Sequence, residues 1–294
     1  MKIRNWSETL VNWRQEAFGV GPNPNTEYYS KINDNDAIVI TMGDSWTYGD
    51  GIPPQLRHSM IYGGLIAQKL SADWLNIGCC AWSNSYVLSH LDRIVEQLDC
   101  CDYKKIYVII TLTENGRDID QAAHYKFSAR SRFDELEETP EFYQSLLSDL
   151  EQVWCDTICN SIAKMDSRYT VVVGNNFVWH NGIVDRLQNR AVLLERNWIE
   201  CLAQAQGLAD PVRTNLVTGW IFDSINENVH REIAVKSKTA YNSWALPLIE
   251  KATRVNEWLD SSAMNNKRSS KHPNGNGHQV WADYILTFLQ PSKA

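Results

Sequence analysis

The chain has 294 residues, 28 Lys and Arg against 35 Asp and Glu, a formal net charge of -7 and 44% hydrophobic residues. That balance gives a globular protein with a substantial core; it argues against a nucleic-acid partner, which wants a basic face. No run of about 18 uncharged apolar residues is present to span a membrane.

At roughly 100–200 residues per domain the length allows two domains, but no linker, repeat or low-complexity tract divides the chain. One domain is expected. The N-terminal residues Met1 to Glu8 include basic side chains without the apolar segment of a secretory signal behind them. The seven cysteines, Cys79, Cys80, Cys100, Cys101, Cys155, Cys159 and Cys201, are odd in number and include two adjacent pairs that bridge poorly. Reduced thiols in a cytoplasmic-type protein are therefore expected. Cys155 and Cys159 are one helical turn apart, but no His or second Cys pair stands near them in sequence, so no metal site is expected.

In chain order, residues 1–35 are polar, carry Gly21-Pro22-Asn23-Pro24-Asn25, and read as an N-terminal arm before a main domain over 36–294. Ala37 to Met42 reads as a buried strand, Ile61 to Leu70 as a helix, and Trp74 to Ile77 as a short strand stopped by Gly78. Asn84 to Leu98 has helical spacing, and Ile106 to Thr111 is the clearest strand. A polar loop at 118–140 precedes a long helix from Glu141 to Met165, and Thr170 to Val173 is the next strand. A helical insertion is expected at about 185–260, with Leu187, Val192, Leu193 and Leu194 on one apolar stripe and Pro247 interrupting or starting a helix. Val280, Tyr284, Ile285 and Phe288 mark a last helix.

Strands alternating with helices predict a parallel sheet covered on both faces, a three-layer α/β/α architecture. In such sheets the ligand crevice lies at the carboxyl ends of the strands. Chemistry is therefore sought at 43–51, 78–84, 112–118 and 174–181.

Gly43-Asp44-Ser45-Trp46-Thr47-Tyr48-Gly49 follows the first main strand. A serine in a tight turn there can expose its hydroxyl and keep its N–H free, as a nucleophile requires. Asp and Ser also cap ordinary helices well, and these seven residues alone support the two readings equally. Near the other end, His272-Pro273-Asn274 precedes the last helix. Such a turn is by itself most often only a turn. Paired with Gly-Asp-Ser at the opposite end of the chain, it reads instead as a functional histidine placed to face back over the sheet.

At this point the sequence resembles the SGNH hydrolases, also called GDSL-like lipases and esterases, over roughly residues 37–290. The resemblance rests on Gly43-Asp44-Ser45, on Gly78 in Asn76-Ile77-Gly78, on Asn115 after the third strand and on His272. It implies a flavodoxin-like sheet with extra helices. It also implies a nucleophile in Ser45, a base in His272, and an oxyanion hole from the N–H groups of Ser45 and Gly78 with the Asn115 side chain. No cofactor is implied. Two departures stand out. Asn115 is flanked by Thr113 and Gly116 where the family has Gly and Asp, and the residue three before His272 is Ser269 where the family has Asp. Losing a triad acid costs on the order of 10⁴-fold in model serine proteases. Ser269 would leave a Ser-His dyad, unless Asp260 or Asp283 supplies the acid.

Trp46, Tyr48, Trp82 and Trp179 fall on the stretches after the strands; any one of them alone is more often core mass, but four flat aromatic faces at one edge suit stacking on sugar rings or acyl groups. The expected activity is hydrolysis of an acyl ester, such as an O-acetyl group, on a small molecule or polysaccharide. The rival expectation is a non-catalytic SGNH-like module that binds carbohydrate or builds a larger assembly, for example a component of a phage virion.

Overall fold

The structure of the chain, a computed structural model, describes residues 30–80, 82–113, 140–176, 181–187, 189–205 and 272–290. Its strands are β1 (Ser30–Lys31), β2 (Ala37–Gly43), β3 (Asp73–Asn76), β4 (Lys105–Leu112), β5 (Tyr169–Asn175) and β6 (Val192–Leu193). Its helices are α1 (Ser45–Tyr48), α2 (Arg57–Met60), α3 (Tyr62–Leu70), α4 (Asn84–Leu88), α5 (Leu91–Asp99), α6 (Pro140–Lys164), α7 (Asn181–Leu187), α8 (Trp198–Ala205) and α9 (Gly275–Leu289).

The six strands form one sheet in the order β1-β3-β2-β4-β5-β6. β1 runs antiparallel to β3 and every other pair is parallel. Without β1, and with the parallel strands renumbered in chain order, this is the 2-1-3-4-5 arrangement of flavodoxin-like sheets. The order reverses between β2 and β4, and there the crevice outside the carboxyl ends should lie.

The period of two along each strand sends alternate side chains into two separate cores. Ile38, Ile40 and Met42 of β2 join Ile106, Val108 and Ile110 of β4 under α4 to α7, with Leu91, Ile94, Trp154 and Ile158 above them. Val39, Ile109 and Val172 face the other way, against Ile66 of α3, Trp198 and Leu202 of α8 and Trp281 and Ile285 of α9. Burial on both faces explains why these strands read as continuous apolar runs.

The structure revises three expectations. Asn84 to Leu98 is two helices, α4 and α5, because the chain breaks at Ser89-His90. Ser89 Oγ donates to the Tyr86 carbonyl at 2.7 Å, diverting an acceptor that a continuing helix would use. Val192 and Leu193 are not on a helical stripe: they pair with Val172 and Val173 as β6, while Leu194 turns into the second core. Within the expected arm, Ser30 and Lys31 pair with Leu75 and Trp74. The rest of the arm and the larger part of the expected insertion lie outside the described residues. All seven cysteines are free thiols. Among the described residues no helix is long and apolar enough to cross a membrane.

Candidate active site

The site grows from the last residue of β2. A Cβ on Gly43 would stand 2.2 Å from Thr47 Oγ1 and 2.8 Å from the Thr111 carbonyl oxygen, so only glycine lets the strand turn this sharply into α1 beside β4. Asp44 is the N-cap of α1, its Oδ1 accepting from Trp46 N–H at 2.9 Å. The same carboxylate accepts from Asn176 Nδ2 at 3.0 Å and, through Oδ2, from Thr113 Oγ1 at 2.8 Å. Thr113 follows β4 and Asn176 follows β5, so one buried side chain ties the carboxyl ends of β2, β4 and β5 together.

Two asparagines complete the frame. Asn76, at the end of β3, donates to the Thr47 carbonyl at 3.0 Å and accepts Gly78 N–H at 2.9 Å. Asn84 exchanges two bonds with the backbone of Thr113, accepting its N–H at 2.8 Å and donating to its carbonyl at 3.0 Å. Gly78 lies against α1 so closely that a Cβ would stand 2.6 Å from Tyr48 N.

On this frame Ser45 occupies the first position of α1, and its N–H has no hydrogen bond among the described residues. The first N–H groups of a helix have no partner within it and are available to a ligand oxygen. His272 comes from the far end of the chain. Asn274 caps α9, accepting from Asn276 N–H at 2.9 Å and Gly277 N–H at 3.2 Å, and α9 is fixed in the second core by Trp281 and Ile285. Two residues before that cap, His272 places Nε2 2.9 Å from Ser45 Oγ, across 227 positions of sequence. A serine hydroxyl facing an imidazole nitrogen at hydrogen-bond distance can lose its proton as it attacks an electrophilic carbon.

The other expected residues fare differently. Gly78 is beside the turn, but its N–H is already donated to Asn76 Oδ1, so its visible role is to let β3's loop approach α1. Trp46 and Trp82 are not a stacking surface. Trp46 is 2% exposed and packs edge-on against Trp198, and Trp82 is 5% exposed between Tyr86 and His90. Their large apolar faces are better satisfied in the two cores than at the sheet edge. Tyr48 is half-buried with the Arg57 guanidinium 4.1 Å over its ring. Asp283 accepts from Gln279 on the exposed side of α9. Asn115, Trp179, Asp260 and Ser269 lie outside the described residues.

Several supporting roles had no signal of their own: Asp44 and Asn76 stand in motifs read for Ser45 and Gly78, and Asn84, Thr113 and Asn176 carry no motif. Apart from Asn76, each falls in a stretch that follows a strand, which was the available signal. Asp50 was also missed. Its Oδ2 lies 3.7 Å from His272 Nε2.

No protein-family model matches the chain, and no curated protein matches it in sequence. Among solved structures it is similar to a protein of the G-D-S-L family from Desulfitobacterium hafniense, at 12% identity and a TM-score of 0.42, over 85% of this chain and 98% of that one. It is also similar to a member of the lipolytic G-D-S-L family from Veillonella parvula, at 11% identity and TM-score 0.39, over 85% and 97% of the two chains. A catalytic mutant of an acetylxylan esterase from Geobacillus stearothermophilus is a third, at 9% identity and TM-score 0.40, over 87% and 95%.

Proposed function

We propose that the protein is a serine ester hydrolase, with Ser45 as nucleophile and His272 as general base. The observation that carries this reading is the 2.9 Å approach of His272 Nε2 to Ser45 Oγ at the switch point of the sheet. In the productive state the neutral imidazole accepts the Ser45 proton at Nε2 while Oγ bonds to the acyl carbon. The carbonyl oxygen becomes an oxyanion, and the Ser45 N–H is placed to donate to it, with Asn115 as the side-chain donor that the sequence resemblance implies. The imidazolium then gives its proton to the leaving alcohol. Water, deprotonated at the same nitrogen, attacks the acyl-serine; the C–Oγ bond breaks, the imidazolium returns its proton to Ser45 Oγ and the acid leaves.

The substrate class is an acyl ester. The carbohydrate part of the expectation rested on four aromatic residues. With Trp46 and Trp82 in the cores, Tyr48 and Trp179 are the two that still speak for a sugar.

A fluorophosphonate probe tests the reading. Wild-type protein should be labelled, and Ser45→Ala should lose the label while keeping its circular dichroism spectrum and melting temperature. Equal labelling of the variant would exclude Ser45 as nucleophile. Absence of labelling in the folded wild type would favour a non-catalytic binding or structural module.

A further inference from the structure

The loop after α1 carries a carboxylate back to the reacting pair. Gly49 and Gly51 hold φ of 78° and 80°, a region glycine enters at no steric cost, and they bracket Asp50. Asp50 N–H donates to the Ser45 carbonyl at 3.0 Å, and its Oδ1 accepts Gly51 N–H at 2.9 Å. The backbone thus fixes where this carboxylate stands. Oδ2 lies 3.7 Å from His272 Nε2, the same nitrogen that faces Ser45 Oγ at 2.9 Å. The Asp50 side chain is 45% exposed, so its charge is partly screened by solvent.

A carboxylate on Nδ1 would fix the tautomer, as the acid of a triad does. One beside Nε2 acts differently: at ion-pair distance it opposes the positive charge that appears when Nε2 takes the serine proton. We infer that Asp50 is a positioning residue that acts through His272, as the charge partner of the imidazolium formed when Ser45 attacks. This inference rests on the hydrolase reading of Ser45 and His272.

Among the described residues, the other titratable and charged groups around the pair are neutral or engaged elsewhere. Asp44 lies buried beneath the turn, engaged by Trp46 N–H, Thr113 and Asn176. The Cys80 thiol, pushed up to about 12 by burial and then by the charge of Asp50, is neutral. Arg57 lies over Tyr48 and donates to the Ile52 carbonyl. His278 on α9 is lowered to about 3 by burial and then by His272, and is neutral at pH 7. Among the described residues, Asp50 is the carboxylate within ion-pair distance of the His272 ring.

The same anion has two opposed consequences. It favours the imidazolium during attack, which speeds the reaction. It also favours the imidazolium at rest, where a protonated Nε2 cannot accept from Ser45. Asp50→Asn keeps the shape and the acceptor for Gly51 N–H but removes the charge. On the pH plateau its labelling rate should fall about threefold, and the acid limb of the profile should move about half a pH unit lower, because one coupling of modest size sets both. Asp50→Glu should return both quantities toward wild type.

The test measures fluorophosphonate labelling against pH for wild type, Asp50→Asn and Asp50→Glu, with NMR titration of the His272 ring in the same proteins. A lower His272 midpoint in Asp50→Asn, matched by the shifted acid limb, supports the assignment. An unmoved midpoint overturns it. So does a uniform loss of labelling with an unmoved acid limb, which would mark a purely structural residue. A shifted midpoint in proteins that take no probe would leave the ion pair standing and overturn the hydrolase reading instead.

Discussion

Asp44 shows how much of the site depends on one buried carboxylate. Three donors from three strand ends converge on it, and replacing it with alanine would strand Trp46 N–H, Thr113 Oγ–H and Asn176 Nδ2–H in a closed interior. Each orphaned donor costs about 1–3 kcal/mol, so Asp44→Ala should destabilise the fold by about 3–5 kcal/mol, with relaxation absorbing part of the sum. Asp44→Asn, which keeps one acceptor oxygen, should lose less; urea unfolding of both variants measures this. Loss of under about 1 kcal/mol in Asp44→Ala would mean that the three donors find other partners. At this scale, Ser45 and His272 were legible because Gly-Asp-Ser and His-Pro-Asn pair a reactive atom with a turn-forming neighbour. Asp50, Thr113 and Asn176 were not, since a polar residue after a strand looks the same whether it holds the frame or faces water. Trp46 and Trp82 misled for a related reason: a large aromatic residue next to a site motif gives no sign of which way it points.

Among elements, the β2–α1 junction is the one whose geometry leaves least room for change. Gly43→Ala would drive a methyl group against the Thr111 carbonyl, which β4 holds in place, and against Thr47 Oγ1, itself 3.2 Å from the Tyr62 hydroxyl. Overpacking of this kind costs about 1–3 kcal/mol, and the displaced α1 would carry Ser45 away from His272. The variant should therefore unfold at lower urea and label more slowly than its stability loss alone explains; wild-type values of both would show that the turn has slack. Elements themselves were legible in proportion to length and burial. β2, β4 and β5 announce themselves by continuous apolar runs, and α6 by its helical spacing. β1 and β6, two residues each, have no period to read and exist because the neighbouring strand offers unpaired backbone. Val192 and Leu193 fit a helical stripe as well as a strand, and pairing with β5 decides between them.

For the molecule as a whole, the active pair exists because the second core locks α9, near the C-terminus, against α3, near the start of the sheet. His278 sits in that seam. Its Nδ1 accepts Tyr62 N–H at 3.3 Å, its ring stacks on Tyr62 and meets the edge of Trp198, and Nε2 has no hydrogen-bond partner among the described residues. Burial holds the imidazole neutral, with its pKa lowered to about 3, the nearby His272 adding to the effect. In the unfolded chain the same side chain binds its proton near pH 6.5. The unfolded state therefore takes up a proton first as the solution is acidified. The neutral histidine costs nothing above about pH 6.5, and stability is lost as pH falls from there toward 3, at up to about 1.4 kcal/mol per unit. Between pH 6.5 and 4.5 this one group should remove about 2–3 kcal/mol from the wild type. His278→Leu keeps the apolar bulk and removes the titration, though it also strands Tyr62 N–H, so its stability at pH 7 should be lower. The diagnostic quantity is the slope: unfolding free energy plotted against pH should fall less steeply in the variant, and the two curves should converge as the solution is acidified. Parallel curves would mean that His278 takes its proton inside the folded protein, with the seam between α3 and α9 open enough to admit the charge.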